Sequence, residues 1–264
     1  MITGIVKKNI YTKGGILLLA KGQELTEEDL ERLRRIEIVE ASTLAELDQQ
    51  MAMSWNKEKL KAKFAPIDYT FIEKSNETVG DILLQSAGKP WQTFLYSLGL
   101  YADWVYVHSI DVALISGIIA GRMNYSAQEQ QEICLGALLH DVGKLLVPKE
   151  IIQKPGSLTE EEMSHVRKHC EYGRDLLKDV GLPPRSLEIV LQHHERLDGS
   201  GYPYGLEEDQ ISDYSKIVMV ADVLDAITSY RPYKEVGSMS TALQELKGCR
   251  GKYDQRIVNM LIDH

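Results

Sequence analysis

The stretch Leu138-Leu139-His140-Asp141-Val142-Gly143-Lys144 sets an imidazole beside a carboxylate at the end of an apolar run, with an ammonium three residues further on. Adjacent residues on a helix point about 100° apart, so His140 and Asp141 do not readily chelate one ion from the same direction. They suit two neighbouring ions with the carboxylate bridging. Alone, such a pair is more commonly a His–Asp hydrogen bond at a helix end. Its company gives it weight: His108 ahead, His169 behind, then His193-His194-Glu195, Asp198-Gly199-Ser200-Gly201-Tyr202-Pro203 and Ala221-Asp222-Val223-Leu224-Asp225-Ala226. Imidazoles and carboxylates together suit iron, manganese, zinc or nickel, with geometry and supply deciding among them.

Working outward, Val107, Ile110, Leu114 and Ile118 recur at helical spacing. Thr159 with Glu162 forms a capping box ahead of a predicted helix that carries His165 and His169 on one face. Ser212 to about Tyr230 and Asp254 to about Asp263 read as later helices, with breaker-rich loops at Lys154-Pro155-Gly156 and Asp198 to Pro203. The first forty residues differ. Short β-type runs at Gly4 to Ile10 and Ile16 to Leu19 flank the turn signal Lys13-Gly14-Gly15, a helix is expected from Thr26, and Ile36 to Val39 reads as a third strand. Between them and Trp91 the chain is polar and weakly periodic, with Leu44, Leu47 and Met51 at helical spacing. The expected fold class is therefore mainly α: a small mixed α/β module over 1–42, a linker helix and irregular segment over 43–90, and an all-α domain over 91–264.

The chain has 264 residues, 44% of them apolar and 26% charged, the balance of a globular protein. Its 30 Lys and Arg against 39 Asp and Glu leave a net charge of -9, so it lacks the basic surface that holds a nucleic-acid polymer by counterion release. An acidic protein that handles a phosphorylated ligand must concentrate positive charge locally, from metals or a few basic side chains. Three cysteines without CxxC spacing read as free thiols in a reducing compartment. The longest apolar stretches, Gly15 to Ala20 and Val112 to Gly121, fall short of the roughly 18 to 20 residues a membrane span needs. No export signal is evident, and a cytoplasmic location without membrane insertion is expected.

From Tyr101 to Leu261 these motifs, in this order and joined by Val147-Pro148, Lys154-Pro155-Gly156 and Thr228-Ser229-Tyr230-Arg231-Pro232-Tyr233, resemble the HD-GYP family, the bacterial cyclic di-GMP phosphodiesterases within the HD hydrolase superfamily. Gly14-Gly15-Ile16-Leu17 and Gly22-Gln23-Glu24-Leu25-Thr26 resemble a short module found ahead of such domains. The resemblance implies an all-α HD-type domain holding two divalent transition metals, iron before manganese. One ion would sit on His108, His140, Asp141 and Asp222. The second would sit on Asp141, His169, His193 and His194, with Asp141 bridging. Lys144 would face the scissile phosphate, Gly201, Tyr202 and Pro203 would border the substrate pocket, and Arg231 and Lys234 would contact phosphate or guanine. The implied reaction is hydrolysis of cyclic di-GMP to linear pGpG by a bridging hydroxide. Diguanylate cyclase-domain proteins are implied as partners through the Gly201-Tyr202-Pro203 loop, and a homodimer is admitted.

Asp222 is favoured over Asp225 as ligand, with Asp225 ordering the helix behind it, and His165 is expected at the surface or just behind the ligands. Two departures from the family stand out. Trp104 occupies a position where some members carry a metal-binding Glu, which implies two ions and accumulation of pGpG, with Trp104 walling the pocket or packing in the core. Cys170 replaces the usual Thr or Pro. Two other readings stay open: a catalytically weak cyclic di-GMP-binding or cyclase-recruiting module, and an enzyme for another cyclic dinucleotide or phosphoester.

Overall fold

The computed structural model describes residues 2–5, 10–12, 17–19, 24–26, 38–39, 69–86, 89–229 and 237–262. The N-terminal module is seen as short strands. β1 (Ile2–Ile5) pairs antiparallel with β4 (Glu24–Thr26), and β2 (Ile10–Thr12) pairs antiparallel with both β3 (Leu17–Leu19) and β5 (Ile38–Val39). The hairpin about Lys13-Gly14-Gly15 and the third strand thus have counterparts. Thr26 ends β4, and the helix expected from it falls outside the described residues, as do Leu44, Leu47, Met51, Arg231 and Lys234.

The described remainder is helical: α1 (Tyr69–Leu84), α2 (Pro90–Tyr101), α3 (Asp103–Arg122), α4 (Ala127–Leu139), a 3-10 segment (Val142–Leu146), α5 (Lys149–Ile152), α6 (Glu160–Arg167), α7 (His169–Leu177), α8 (Pro184–Gln192), α9 (Asp213–Thr228), α10 (Met239–Gly248) and α11 (Gln255–Ile262). α3 is the central element, packed by α1, α2, α4 and α9. Val112, Ala113, Leu114, Ile115, Ile118 and Ile119 are all buried on it, so its apolar residues are covered on more than one face, as on a helix packed by several neighbours. Over Trp104–Arg122 it has the length and hydropathy of a membrane span, but 78% of that stretch is buried inside this fold. Val107 departs from the predicted stripe and is exposed.

α1, within the segment read as linker helix and irregular chain, packs on the core. Its Ile72, Val79 and Ile82 join the main core, and the buried Ser75 donates its hydroxyl to the Leu114 carbonyl of α3 at 2.7 Å. That approach requires Gly117, where a Cβ would sit 2.4 Å from Ser75 Oγ.

Capping chemistry sets several helix starts. Ser126 and Glu129 form a reciprocal box at α4, and Thr159 and Glu162 form the predicted one at α6. The predicted helix through His165 and His169 is instead two: α6 stops at Arg167 and α7 begins at His169. The break has a local cause. The Val166 carbonyl, freed at the end of α6, accepts from His169 Nδ1 at 2.6 Å. A second close approach brings the 3-10 segment onto α7, since a Cβ on Gly143 would lie 1.9 Å from the His169 carbonyl oxygen.

Candidate metal centre

Three of the histidines are placed by one device. The last four carbonyls of a helix lack intrahelical donors. At the ends of α4, α6 and α8 one of them accepts from the Nδ1 of a histidine three residues on: Ala137 for His140 (2.6 Å), Val166 for His169 (2.6 Å) and Val190 for His193 (3.0 Å). A carbonyl oxygen carries no proton, so each Nδ1 must donate, and in the neutral ring Nε2 keeps its lone pair. His108, on α3, is oriented differently. Its Nδ1 lies 2.6 Å from Asp225 Oδ2, and its Nε2 lies 3.1 Å from Asp222 Oδ1, the two carboxylates being one turn apart on α9. Asp225 also accepts from the Ser229 hydroxyl.

The four Nε2 atoms converge on Asp141. Asp141 Oδ2 faces His140 Nε2 at 3.3 Å and His108 Nε2 at 3.8 Å, while Oδ1 faces His169 Nε2 at 3.4 Å and His193 Nε2 at 3.9 Å. Candidate ligand atoms fall into two compact groups: Asp141, His169, His193 and His194, and His108, His140 and Asp222, each with its atoms within 4.8 Å of one another. His194 is half-buried, its Nδ1 3.8 Å from Asp222 Oδ2.

This donor set fits divalent cations. His140 Nε2 and Asp141 Oδ1 are buried without a hydrogen-bond partner, and unsatisfied buried polar atoms are costly. His169 Nε2 and His193 Nε2 stand 3.1 Å apart with their tautomers already set, so two lone pairs oppose each other in the neutral rings. A cation shared by the two nitrogens relieves that repulsion. Helix carboxyl ends also carry partial negative charge that favours a cation.

Burial alone would raise the Asp141 carboxyl, but the facing His140 and Lys144 hold it well below the usual carboxylate range. Lys144 Nζ is 2.6 Å from Asp141 Oδ2, so the ammonium rests on the carboxylate expected to bridge. Asp222 is likewise held low, His108 outweighing its burial. Burial pushes His169 down to about 4 and His193 and His194 well below the ordinary imidazole value. These three rings are therefore neutral at pH 7. The Cys170 thiol is buried, which raises it well above its usual value, so it stays protonated despite lying 3.6 Å from His169 Nε2.

The Asp198 to Pro203 loop is held against this cluster. The Tyr202 amide donates to the His194 carbonyl at 3.1 Å, and the Tyr202 ring lies 4.7 Å from the His194 ring. Gly201 admits no side chain, since a Cβ there would meet Glu195 Cα and Arg196 N at 2.4 Å. Glu195, quoted in the sequence motif without a role, is fully buried and accepts the amides of Tyr204 (2.8 Å) and Leu206 (3.0 Å), pinning the loop beyond Pro203. No spacing signal marks it, because its partners are backbone amides. His165 is half-buried and belongs to neither ligand group. Trp104 packs against the second apolar cluster, which includes Leu98, Val105, Leu145 and Ile152.

The sequence pattern of the HD domain family matches residues 98–257, a span that contains every one of these ligand candidates. The chain belongs to the HD domain family. As an HD domain protein it is 42% identical, over 56% of its length and 40% of the relative's, to the cyclic di-GMP phosphodiesterase response regulator RpfG of Xanthomonas campestris pv. campestris. It is 34% identical to the 3'3'-cGAMP-specific phosphodiesterase 1 of Vibrio cholerae, over 61% of this chain and 38% of that protein. The chain spans less than half the length of the curated relatives it matches. Bd1817, an HDG"Y"P protein from Bdellovibrio bacteriovorus, shares the HD fold with a TM-score of 0.52 at 18% identity, covering 99% of this chain and 95% of that one.

Proposed function

We propose that this chain is a metal-dependent phosphodiesterase that opens cyclic di-GMP to linear pGpG. The observation that carries the reading is the Asp141 carboxylate, one oxygen turned to His108 and His140 and the other to His169 and His193. One ion would be held by His108, His140, Asp141 and Asp222, and a second by Asp141, His169, His193 and His194, with iron ahead of manganese. Bound there, such ions supply Lewis acidity and an activated water at neutral pH.

The chain's own residues do the rest. Asp225 keeps the proton on His108 Nδ1, so His108 Nε2 stays turned inward. The Lys144 ammonium, now on Asp141, is the mobile charge that would meet a phosphoryl oxygen and offset negative charge developing on the leaving group. Gly201, Tyr202 and Pro203 border the bound nucleotide, and Arg231 and Lys234 are assigned to phosphate or guanine contacts. Trp104 offers no ligand atom one turn before His108, so two ions and accumulation of pGpG are expected.

A second reading rests on the similarity to 3'3'-cGAMP-specific enzymes: the same centre could open a mixed dinucleotide. Chromatography of both substrates incubated with metal-loaded protein under reducing conditions tests both. The proposal expects pGpG from cyclic di-GMP, lost by at least about 100-fold in Asp141→Asn, because removing a ligand must exceed the 10- to 100-fold cost of losing a mere orienting partner. Faster turnover of 3'3'-cGAMP moves the assignment to that substrate, and metal uptake with neither product would leave a binding module.

A further inference from the structure

A cavity of about 580 Å³ is lined by His194, Tyr202, Arg167, Arg196, Ser200 and Lys252. That volume suits a nucleotide-sized ligand. Its three cations are not equivalent. Arg196 is spent on the fold, donating Nη1 to the Glu195 carbonyl at 2.6 Å and lying 4.9 Å from the Tyr253 ring. Arg167 lies over the Tyr202 ring at 5.9 Å, and its ion pair with Glu160 is exposed and long at 3.4 Å, a contact worth little. Lys252 is exposed and makes no ion pair among the described residues. Asp198, a carboxylate that feels the Lys252 charge, already accepts from the Ser200 amide (3.0 Å) and hydroxyl (2.6 Å).

On a chain of net charge -9, one weakly paired cation and one without an ion pair, in the wall of a cavity also lined by a candidate metal ligand, concentrate positive charge against the overall field. A cyclic dinucleotide carries two phosphodiesters in one ring. With one of them at the histidine cluster, the other stands about one nucleotide away, and the cavity that His194 lines is also lined by the Tyr202 ring and these two cations. We propose that Arg167 and Lys252 form a second phosphate site that holds the phosphodiester not being cleaved, with Tyr202 between the sites as a stacking face for a base. The inference rests on the phosphodiesterase reading for its ligand but concerns residues outside the metal centre.

The test compares the wild-type chain with Arg167→Gln, Lys252→Gln and the double variant. Calorimetry with cyclic di-GMP on the EDTA-treated chain reads the site without turnover. Each cation removed should weaken binding about tenfold, as loss of a charge-assisted hydrogen bond does, and Lys252→Arg should restore most of the loss. In manganese-loaded protein, the ratio of kcat/KM for cyclic di-GMP to that for bis(4-nitrophenyl) phosphate, which has one phosphate, should fall by a similar factor. Equal binding by wild type and double variant, or an unchanged ratio, would overturn the second site. A wild-type chain that binds cyclic di-GMP but hydrolyses neither compound overturns the proposed reaction, and the second site then stands or falls on the binding series alone. No binding with or without manganese overturns both.

Discussion

His108 owes its role to a residue more than a hundred positions away. Asp225 Oδ2, 2.6 Å from His108 Nδ1, decides which ring nitrogen carries the proton, and Asp222 one turn earlier faces the other nitrogen at 3.1 Å. Removing such an orienting partner typically costs 10- to 100-fold in metal affinity. Asp225→Ala should therefore weaken manganese binding by that factor while circular dichroism stays helical, and unchanged affinity would contradict the assignment. A second consequence concerns acid. With His169 lowered to about 4 by burial, the unfolded chain takes up a proton from about pH 6.5 downward that the metal-free folded chain refuses until about pH 4. Stability is then fully present above pH 6.5 and is lost as pH falls through that window, by about 3 kcal/mol from this group. Denaturant titrations of EDTA-treated protein between pH 7 and pH 4 should show that decline. A flat profile would mean that His169 is not held neutral by burial.

At the scale of elements, the centre is built where helices stop. α4, α6 and α8 each offer a terminal carbonyl to the histidine three residues on, so helix ends are part of the ligand geometry. The 3-10 segment must also touch α7, and Gly143 allows it. A Cβ there would lie 1.9 Å from the His169 carbonyl oxygen and 2.5 Å from the Gly173 amide nitrogen. Gly143→Ala must separate the two segments, at a cost of about 1–3 kcal/mol or more, and should lower both Tm and bound metal. Retention of both would show that the segments can part without harm.

Elements were legible where their signal is local. The Thr159–Glu162 box could be read from two residues and a spacing, and the His-Asp stretch from two neighbours. The stop at Lys168 could not, since no Gly or Pro marks it and its cause is a carbonyl meeting an imidazole. α1 was hidden for another reason. Between Ile72 and Val79 its buried face carries Ser75 and Asn76, which break the apolar period although Ser75 is satisfied by Leu114. Glu195 is the same case at the site, a charged residue buried because amides from distant positions meet it.

Over the whole molecule, two facts fit together. The chain is acidic, with a net charge of -9, yet a buried polar region among the described residues gathers imidazoles, Asp141 and Asp222 around one ammonium, a set suited to divalent cations. The acidic balance directs the reading away from nucleic-acid polymers, and the proposed small phosphorylated ligand would have to be bound through local charge. The Arg167 and Lys252 pair was beyond sequence reading, because only folding brings the end of α6 and the turn before α11 to one cavity. The account turns on one carboxylate serving two ions. Anomalous diffraction from a manganese-loaded crystal tests this most directly. The account predicts two anomalous peaks on opposite sides of Asp141, one beside His108, His140 and Asp222 and one beside His169, His193 and His194. A single peak, or two peaks neither of which touches Asp141, would contradict it.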